Sequence, residues 1–287
     1  MKVIDIIKSE KPTLSVEVFP PKTTANFETV KCATEKIAQL KPSYMSITYG
    51  AGGGTSDFTA DIAENLLKKG VTPLTHLTCV SSTDERIEAE LNKIKSKGIK
   101  NILALRGDIP EGLEKSEMKY TYAYQLIEKI KKFDEEFCVG GACYPETHPE
   151  SENSYKDIEA LKIKVESGCE FLTTQMFFDN NILYNFIMRL LKVGVDVPVV
   201  PGIMPVTNEK QIKRIMSISG NALPQRFVRI VDKFADNPKA LKEAGIAFAT
   251  EQIIDLYANG INAVHLYSMN NPEVAEKIKN NLTEILK

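Results

Sequence analysis

The chain alternates short β-rich segments with longer segments of helical period, and this alternation constrains its fold more than any other feature. Between the β-rich segments, residues 26–40, 84–98 and 155–168 place apolar residues three and four positions apart, as amphipathic helices do. Gly98 and Gly168 close two of these helical segments, and glycine is typical of a helix end. Eight strands are predicted, near residues 14–19, 44–49, 72–78, 99–105, 137–143, 170–175, 197–201 and 263–267.

Eight strands that alternate with helices in 287 residues fit a closed parallel (β/α)8 barrel. The longest interval follows the seventh strand, where two or three extra helices are expected between Thr207 and Asn259. A doubly wound open sheet is the alternative. The barrel is favoured because no strand-turn-helix unit carries GxGxxG and because polar residues close nearly every strand at the same end. We therefore predict an α/β fold, a single TIM-barrel domain over residues 1–287 with extra helices between strands seven and eight.

Charge and cysteine content exclude several classes of protein. The 36 Lys and Arg residues nearly balance the 38 Asp and Glu residues, so no positive excess is available for nucleic acid or an anionic membrane. The five cysteines are odd in number and form no CxxC, so a reducing cytoplasm is the expected location. Charged residues interrupt the amino-terminal segment and no apolar run reaches about 18 residues. We expect neither export by a signal peptide nor a membrane span.

Polar residues close most of the predicted strands, and in a barrel that end is the active-site face. Glu17 alternates with Val16 and Val18, so its side chain faces the lumen or the mouth. A carboxyl held there with little water would have a raised pKa and could act as a general acid near neutral pH. The alternative is a structural glutamate in a salt bridge.

The tripeptide Arg106-Gly107-Asp108 follows the fourth strand. Gly107 permits a tight turn, and the guanidinium of Arg106 offers a planar set of donors to phosphate or carboxylate. The segment is therefore a candidate site for an anionic or heteroaromatic ligand, and a mutual ion pair of Arg106 and Asp108 is the structural alternative. An adhesion motif is disfavoured, since nothing in the chain indicates secretion and a tripeptide match is weak.

The segment PETHPE places Glu146, His148 and Glu150 at alternating positions, which suggests a metal site. Its spacing matches no HExxH motif and no second His or Cys cluster completes a coordination sphere, so we predict no metal. Hydrogen bonding of His148 to an anionic cofactor is favoured instead. The glycine run 51–56 reads as a turn without the features of a phosphate-binding loop, and His265 as a core histidine with satisfied hydrogen bonds.

Nine motifs, in order and over nearly the whole chain, together resemble the methylenetetrahydrofolate reductase family: SVEVFPPK, SITYGAGGGTS, HLTCV, LALRGDIP, YPETHPE, LKIKVESG, TTQMFFD, VPGIMPV and HLYSMN. The resemblance implies an FAD-binding (β/α)8 barrel. It also implies an enzyme that takes hydride from NADH or NADPH and reduces 5,10-methylenetetrahydrofolate to 5-methyltetrahydrofolate. Nicotinamide and folate would use the same face of the flavin in turn, a ping-pong reaction.

The resemblance also implies roles for individual residues. Glu17 would be the general acid that helps to open the imidazolidine ring of the folate. Asp108 would lie between flavin and pterin, orienting the folate and tuning the flavin potential. Gln175 and Gln211 would contact the substrates. The FAD would be lined by Thr48, Tyr49, Ala51, His76, Arg106, Gly107, Asp108, Ala123, Tyr144, His148, Asp157 and Lys164.

The chain departs from the family pattern at two positions. Relatives often carry a basic residue near Asn271, and some carry an aromatic residue at the position of Ile215, so the grip on the folate tail is open. We expect no carboxy-terminal regulatory domain and no feedback by S-adenosylmethionine through one. The small-molecule substrates are the expected partners, in a homo-oligomer or with a partner subunit.

Three questions stay open at this point. The electron donor could be NADH, NADPH or the reduced centre of another protein. A flavin-binding barrel that serves as a non-catalytic subunit of an electron-transfer assembly is an alternative function. A metal-dependent barrel hydrolase that uses Glu146, His148 and Glu150 is a further alternative.

Overall fold

The computed structural model of the protein describes residues 1–21, 26–49, 56–110, 112, 114, 118–208, 211 and 223–287, without the side chains of residues 56 and 57. The described strands are β1 (Thr13–Val18), β2 (Met45–Ile47), β3 (Pro73–Thr78), β4 (Asn101–Leu105), β5 (Cys138–Cys143), β6 (Phe171–Thr174), β7 (Val199–Val200), β8 (Gly202–Ile203) and β9 (Ala263–Leu266). The described helices are α1 (Val3–Ile7), α2 (Phe27–Gln39), α3 (Ser56–Lys68), α4 (Asp84–Ser96), α5 (Ala123–Phe133), α6 (Ser154–Glu166), α7 (Asn180–Lys192), α8 (Gln225–Phe234), α9 (Pro238–Ala258) and α10 (Pro272–Asn281).

All strand pairs are parallel, in the order β7-β6-β5-β4-β3-β2-β1-β9-β8. The sheet curls into a nearly closed barrel with helices on its outer face, which confirms the predicted fold class. Each of the eight predicted strand segments overlaps an observed strand, and a helix follows β1 through β6 in turn.

The seventh predicted segment, 197–201, ends at Pro201, where the chain changes its strand partner. β7, inside that segment, pairs with β6, and β8, which follows it, pairs with β9. Pro201 has no N–H to donate, while its carbonyl accepts from the His265 N–H at 2.8 Å. The next N–H, of Gly202, donates to the Thr174 side-chain hydroxyl at 2.9 Å instead of to a backbone carbonyl. Residues 199–203 therefore hold both ends of the sheet together.

Alternation along each strand separates two apolar layers. Residues such as Val16, Met45 and Leu77 point outward and pack under the helices in the main core. Residues on the lumen side, among them Tyr44, Leu74, Leu103, Phe171 and Val200, fill the amino-terminal end of the barrel together with α1. The lumen is therefore packed at this end, as in other barrels of this size.

Helix α1 is fixed over the barrel bottom by one side chain, that of Asn101. The Asn101 Oδ1 accepts from the Val3 N–H at 2.7 Å, and its Nδ2 donates to the carbonyls of Met1 at 3.2 Å and Pro73 at 3.0 Å. Asn101 is 1% exposed, so this short helix is anchored by a buried polar residue on β4.

Two of the expected extra helices, α8 and α9, lie between β8 and β9. Helix α9 passes very close to the segment after β8, because a Cβ on Gly245 would lie 1.8 Å from the Val206 carbonyl oxygen. Only glycine fits this contact. None of the helices in the described ranges is both long enough and apolar enough to cross a membrane.

Candidate functional site

Four polar side chains from four strands meet inside the barrel, and we call Glu17, Ser46, His76 and His265 the lumen cluster. The sheet register explains their meeting. Glu17 on β1 lies opposite Ser46 on β2, and on the other side of β1 Ser15 lies opposite His265 on β9. His76 comes from β3. The carboxyl that the strand alternation directed inward therefore faces two imidazoles.

The distances within the lumen cluster are short. The Glu17 Oε2 lies 3.3 Å from the Ser46 hydroxyl, 3.6 Å from the His76 Nε2 and 3.8 Å from the His265 Nε2. The two imidazole distances exceed a hydrogen bond, so Ser46 provides the link between the carboxylate and His265. The Glu17 side chain is 21% exposed, whereas His76 and His265 are 7% and 2% exposed. A small part of the carboxyl therefore faces the barrel mouth.

The expectation of a raised pKa for Glu17 is wrong. Burial is the largest influence and raises the pKa of Glu17. The polar contact with His265, the charges of His76 and His265, and the Ser46 hydroxyl together outweigh burial and lower the pKa below 4.5. A carboxyl with a lowered pKa is mostly ionised at neutral pH. Glu17 must therefore receive a proton from another group before it can act as a general acid.

His76 is deeply buried and its pKa is lowered from 6.5 to about 4, chiefly by burial and against the attraction of Glu17. At neutral pH its imidazole is therefore uncharged. The His76 Nε2 has no hydrogen-bond partner among the described residues. Such a buried unpaired nitrogen is unusual and is suited to a ligand atom.

His265 makes hydrogen bonds through both ring nitrogens, which confirms its interpretation as a satisfied core histidine. Its Nδ1 lies 2.7 Å from the Ser15 hydroxyl and its Nε2 lies 2.9 Å from the Ser46 hydroxyl. Tyr44 stacks on the imidazole at 5.8 Å between ring centroids, and Tyr267 meets it edge-on at 5.3 Å. The ring is therefore fixed in orientation on all sides.

A second group lies at the barrel mouth, and we call Arg106, Tyr144, His148, Glu150 and Asp157 the mouth cluster. The guanidinium of Arg106 donates to both carboxylate oxygens of Glu150, at 2.7 and 2.5 Å. The alternative of a mutual Arg106–Asp108 ion pair is therefore replaced by a two-point pair with Glu150. The Arg106 Nε also donates to the Gly107 carbonyl at 3.1 Å.

The other members of the mouth cluster are connected to one another. The buried carboxylate of Asp157, in the first turn of α6, accepts from the His148 backbone N–H at 3.2 Å. The rings of Tyr144 and His148 meet edge-on at 4.6 Å. Burial raises the pKa of Asp157, whereas burial and the nearby Arg106 lower the pKa of His148. His148 is therefore mainly neutral near pH 7, which removes the positive charge that a protonated imidazole would offer to an anion.

Gly107 and Asp108 turn the chain away from β4. Gly107 has φ +89°, a left-handed conformation that glycine adopts at little cost. A Cβ there would lie 3.1 Å from the Thr78 Cβ, so both backbone and space favour glycine. Asp108 is exposed, and its charge contributes to raising the pKa values of Arg106 and Tyr144. Asp108 therefore lies beside the mouth cluster and acts on it through its charge.

The remaining predicted residues are more dispersed. The Lys164 ammonium donates to the Ala142 carbonyl at 2.5 Å, and burial lowers its pKa. Gln175 follows β6 directly. Burial raises the pKa of Tyr144, and a hydrogen bond from Gln175 opposes that rise. The Gln211 Oε1 accepts from the N–H and the hydroxyl of Thr207, at 2.7 and 3.1 Å.

Thr48, Tyr49 and Ala123 occupy the ends of elements near the barrel mouth. The Thr48 N–H donates to the Val18 carbonyl at 3.0 Å just after β2, and Tyr49 packs against the main core. Ala123 is the first residue of α5. Ala51 and Ile215 lie outside the described residues.

The segment PETHPE does not assemble a metal site in the described part of the chain, where no group of three or more His, Cys, Asp or Glu residues is arranged to hold an ion. Glu150 pairs with Arg106, and the His148 Nδ1 accepts from the Glu150 backbone N–H at 3.1 Å. Burial, with the charge of Asp179, raises the pKa of Glu146 to about 7. This carboxyl is therefore partly protonated near neutral pH.

Sequence reasoning missed Ser15 and Ser46, which complete the hydrogen-bonded chain around His265. Ser15 is two positions before Glu17 and therefore faces the lumen with it. Ser46 stands between the outward-facing Met45 and Ile47. A small polar residue in alternation with buried apolar residues was the available signal.

Comparison with known proteins identifies related chains. A model of the family described as methylenetetrahydrofolate reductase matches residues 2–283. The chain is 36% identical over 300 residues to methylenetetrahydrofolate reductase (NADH) 1 of Arabidopsis thaliana, covering 98% of this chain and 51% of that protein. It is 33% identical over 266 residues to 5,10-methylenetetrahydrofolate reductase of Escherichia coli (strain K12), covering 92% of this chain and 88% of that protein. The chain thus spans about half the length of the plant relative.

Among solved structures, the chain is similar in fold to an uncharacterized protein from Clostridium thermocellum that binds two copies of 5-methyl-5,6,7,8-tetrahydrofolic acid. The TM-score is 0.66 at 16% identity, covering 98% of this chain and 99% of that one. A 2,3-dimethylmalate lyase matches with a TM-score of 0.53 at 7% identity, covering 98% of this chain and 83% of the other. At these identities the likeness concerns the fold alone.

Proposed function

The chain belongs to the methylenetetrahydrofolate reductase family, and from this membership we propose that it reduces 5,10-methylenetetrahydrofolate to 5-methyltetrahydrofolate with hydride from a reduced nicotinamide. The Arabidopsis relative is named as NADH-dependent, which supports NADH as the donor. The Clostridium protein binds the expected product, which supports a barrel of this kind as a folate site.

The observation that carries the proposal is the placement of Glu17. Ring opening of the methylene bridge needs a proton on the departing nitrogen before the exposed carbon can accept hydride. Glu17 is the lumen carboxyl that is partly exposed at the mouth, and it lies within 4 Å of Ser46, His76 and His265. We assign Glu17 as the general acid for that step.

Residues of the lumen cluster and the mouth cluster fit FAD in their chemistry. The buried His76 Nε2 is without a partner among the described residues and can meet a polar atom of the flavin ring. Asp157 offers a carboxylate to ribose hydroxyls, and Arg106 offers its guanidinium to the diphosphate. Bound FAD would supply the hydride-carrying chemistry that no side chain provides. Lys164 donates to Ala142 instead, so a role in phosphate binding requires that ammonium to turn outward.

Asp108 and Gln175 are proposed to orient the folate. Asp108 is exposed beside the mouth cluster, where its carboxylate can accept hydrogen bonds from the pterin ring. Gln175 follows β6 and has an amide that can both donate and accept. We propose that nicotinamide leaves before folate binds, because both would occupy the same mouth. Gln211 is a further candidate for substrate contact.

The direct test begins with the visible absorption spectrum of the purified protein, recorded near neutral pH, in which bound flavin absorbs. Anaerobic mixing with NADH or NADPH then measures flavin bleaching, and mixing of the bleached protein with methylenetetrahydrofolate measures the return of colour. We expect Glu17→Gln to keep the first step and to slow the second by about 100-fold or more. A protein that stays colourless with added FAD contradicts the proposal.

The same experiment separates the non-catalytic alternative. A barrel that serves as a subunit of an electron-transfer assembly would bind flavin but would not be reoxidised by methylenetetrahydrofolate on its own. Thr173→Val provides the control for Glu17→Gln, because Thr173 is a buried lumen-side residue without a hydrogen-bond partner for its hydroxyl among the described residues. Both steps should be unchanged in this variant.

A further inference from the structure

We propose that Ser46 and His265 form a proton relay with Glu17, in which His265 stores the proton that Glu17 gives to the substrate. This inference rests on the proposed function, because it concerns how the general acid of that reaction is reprotonated. His265 and Ser46 are positioning residues in this scheme, since they act through Glu17 and do not touch the folate.

The hydrogen bonds of Ser15 determine where His265 carries its first proton. The Ser15 hydroxyl donates to the Val264 carbonyl at 3.1 Å, and a hydroxyl has one hydrogen to donate. Ser15 therefore accepts from the His265 Nδ1, 2.7 Å away. This arrangement requires a hydrogen on Nδ1 and leaves Nε2 as the ring nitrogen that gains or loses a proton.

Ser46 has one hydroxyl hydrogen and two neighbours that can accept it. The Glu17 Oε2 lies 3.3 Å from the Ser46 Oγ, and the His265 Nε2 lies 2.9 Å from the same atom. When Ser46 donates to Glu17, the His265 Nε2 must carry a hydrogen and donate to Ser46. When Ser46 donates to His265, Glu17 is the protonated partner. The three residues therefore have two arrangements that share one proton.

Passage between these arrangements is balanced. The Nε2–H bond of His265 breaks as its proton joins the Ser46 Oγ, and the original O–H bond of Ser46 breaks as that proton joins the Glu17 Oε2. The imidazolium becomes a neutral imidazole, the carboxylate becomes a carboxylic acid, and no electron is transferred to another group. Glu17 then gives this proton to the folate nitrogen, and solvent returns one proton to the cluster when the mouth is open.

The relay explains how Glu17 can act as an acid although its surroundings lower its pKa. The pKa of Glu17 is lowered, so at neutral pH the isolated carboxyl is mostly ionised and is a poor acid. A bound folate would cover the partly exposed side of this carboxyl and separate it from water. A proton stored on His265, beneath the carboxyl and 2% exposed, remains available after folate binds.

The other groups that face His265 do not offer the same route. His76, on β3, is neutral near pH 7 because burial lowers its pKa to about 4, and its Nε2 lies 3.6 Å from Glu17. The Tyr267 hydroxyl donates to the Thr174 carbonyl at 2.7 Å. Tyr44 presents its ring face to the imidazole, and burial raises its pKa far above neutral. Ser46 is therefore the connection between the Glu17 carboxyl and the His265 ring.

The test compares Ser46→Ala with wild-type flavoprotein in the two half-reactions. We expect NADH to reduce the flavin at an unchanged rate and methylenetetrahydrofolate to reoxidise it at least 10-fold more slowly. The pH profile of reoxidation gives the decisive sign. Loss of a relay moves the high-pH limb to lower pH, because only protein whose Glu17 is already protonated reacts. Loss of a merely structural hydrogen bond raises the pKa of Glu17 and moves the limb to higher pH.

A double-mutant cycle guards against a folding defect in one variant. His265→Gln keeps hydrogen-bonding capacity but cannot hold the proton, and it should reproduce the effect of Ser46→Ala. Because both changes interrupt one path, the double variant should be no slower than either single variant. Additive losses, or a limb that moves to higher pH, would overturn the proposal. Thr173→Val is again the control that removes a lumen hydroxyl outside the path.

The protonation of His265 can also be measured by nuclear magnetic resonance, which does not depend on catalysis. The chain has three histidines, so ¹⁵N-histidine spectra of the wild type, with His76→Gln and His148→Gln for assignment, can identify His265. We expect its Nδ1 to stay protonated while only Nε2 changes with pH, and an unprotonated Nδ1 would contradict the relay. If these spectra agree but wild-type flavin is not reoxidised by methylenetetrahydrofolate, the proposed function has failed and not the hydrogen-bonded arrangement.

Discussion

At the scale of single residues, the lumen cluster illustrates that burial acts oppositely on acids and bases. Burial favours the neutral form of any titrating group. For His76 this influence dominates and the pKa falls to about 4. For Glu17 the hydrogen bonds and the neighbouring imidazoles outweigh burial and the pKa also falls. The two groups are therefore neutral and anionic, respectively, at the same pH.

The state of His76 predicts a pH dependence of stability. Its folded-state pKa lies below the unfolded value of 6.5, so its contribution is complete above pH 6.5 and is lost as the pH falls toward 4. From pH 7 to pH 5, wild type should lose about 2 kcal/mol of unfolding free energy relative to His76→Gln. Urea unfolding of the flavin-free proteins measures this difference.

The comparison with His76→Gln is needed because another group acts in the opposite direction. The pKa of Glu146 is raised from 4.5 to about 7, so its contribution is lost as the pH rises through that range. Both proteins contain Glu146, and its effect cancels in the difference. A difference that stays constant between pH 7 and pH 5 would show that His76 takes up its proton as readily in the folded protein as in the unfolded one.

The Arg106–Glu150 pair predicts an effect on cofactor affinity. Glu150 occupies both ends of the guanidinium that we assign to the FAD diphosphate. Glu150→Gln keeps the shape and removes the competing charge, so FAD should bind about 3- to 10-fold more tightly, a modest gain because Glu150 is 44% exposed. Flavin fluorescence titration of the flavin-free protein measures the affinity.

A control nearby in the chain, in α6, is Glu159→Gln, which removes an exposed carboxylate paired with Lys156. Its FAD affinity should equal that of wild type. Weaker binding by Glu150→Gln would mean that Glu150 holds Arg106 in its binding position and does not compete with the phosphate.

At the scale of elements, the predicted strands and helices were largely recoverable because buried parallel strands are rich in β-branched residues and helices keep their period. The break at Pro201 was not predicted as a division of one strand, although proline removes a ladder donor. The pairing of Glu17 with Ser46, and of Arg106 with Glu150, depends on sheet register and loop placement. Periodicity within one segment gives neither, so these partners were not predictable from the sequence.

Helix α1 offers a prediction at this scale. Asn101→Ala removes two buried hydrogen bonds and one partly buried one, and it leaves the Val3 N–H and the Pro73 carbonyl without this partner. The cost should be roughly 2–4 kcal/mol of unfolding free energy, measured by urea unfolding, with faster amide exchange in α1. Asn92→Ala is the matched control, since its single hydrogen bond to the Glu88 carbonyl is exposed and its loss should cost less than about 1 kcal/mol.

At the scale of the whole molecule, the sheet is brought round by the short segment 199–203. The predicted assignment of residues 1–287 to one domain stays a prediction, as does assembly into an oligomer. The barrel class followed from alternation and motifs, whereas the role of Glu17 as a general acid stays a prediction. The hydrogen bonds of Ser15 and Ser46 to His265 required the folded barrel, because β1 meets β9 only when the ends of the chain come together.

Gly202 lies in the segment that joins the two ends of the sheet, and we predict that no larger residue can replace it. A Cβ there would lie 2.4 Å from the Tyr267 ring and 2.5 Å from the Thr174 backbone oxygen, so Gly202→Ala should cost roughly 3 kcal/mol or more by overpacking. Gly194→Ala is the comparison: φ is +80° but nothing lies within 4 Å of the added Cβ, so its cost should be about 1–2 kcal/mol. Thermal or urea unfolding measures both. Equal costs would mean that residue 202 has room to adjust.

The plug formed by α1 and the lumen side chains beneath His265 has a consequence for the timing of the reaction. Apolar side chains fill that end of the barrel, among them Tyr44, Leu74, Leu103 and Phe171. Hydrogen exchange between the lumen cluster and water therefore takes place through the barrel mouth. A proton taken up before folate arrives is then committed to that folate. When reduced protein in H₂O is mixed rapidly with folate in D₂O, the first flavin reoxidation should therefore show a smaller solvent isotope effect than later turnovers.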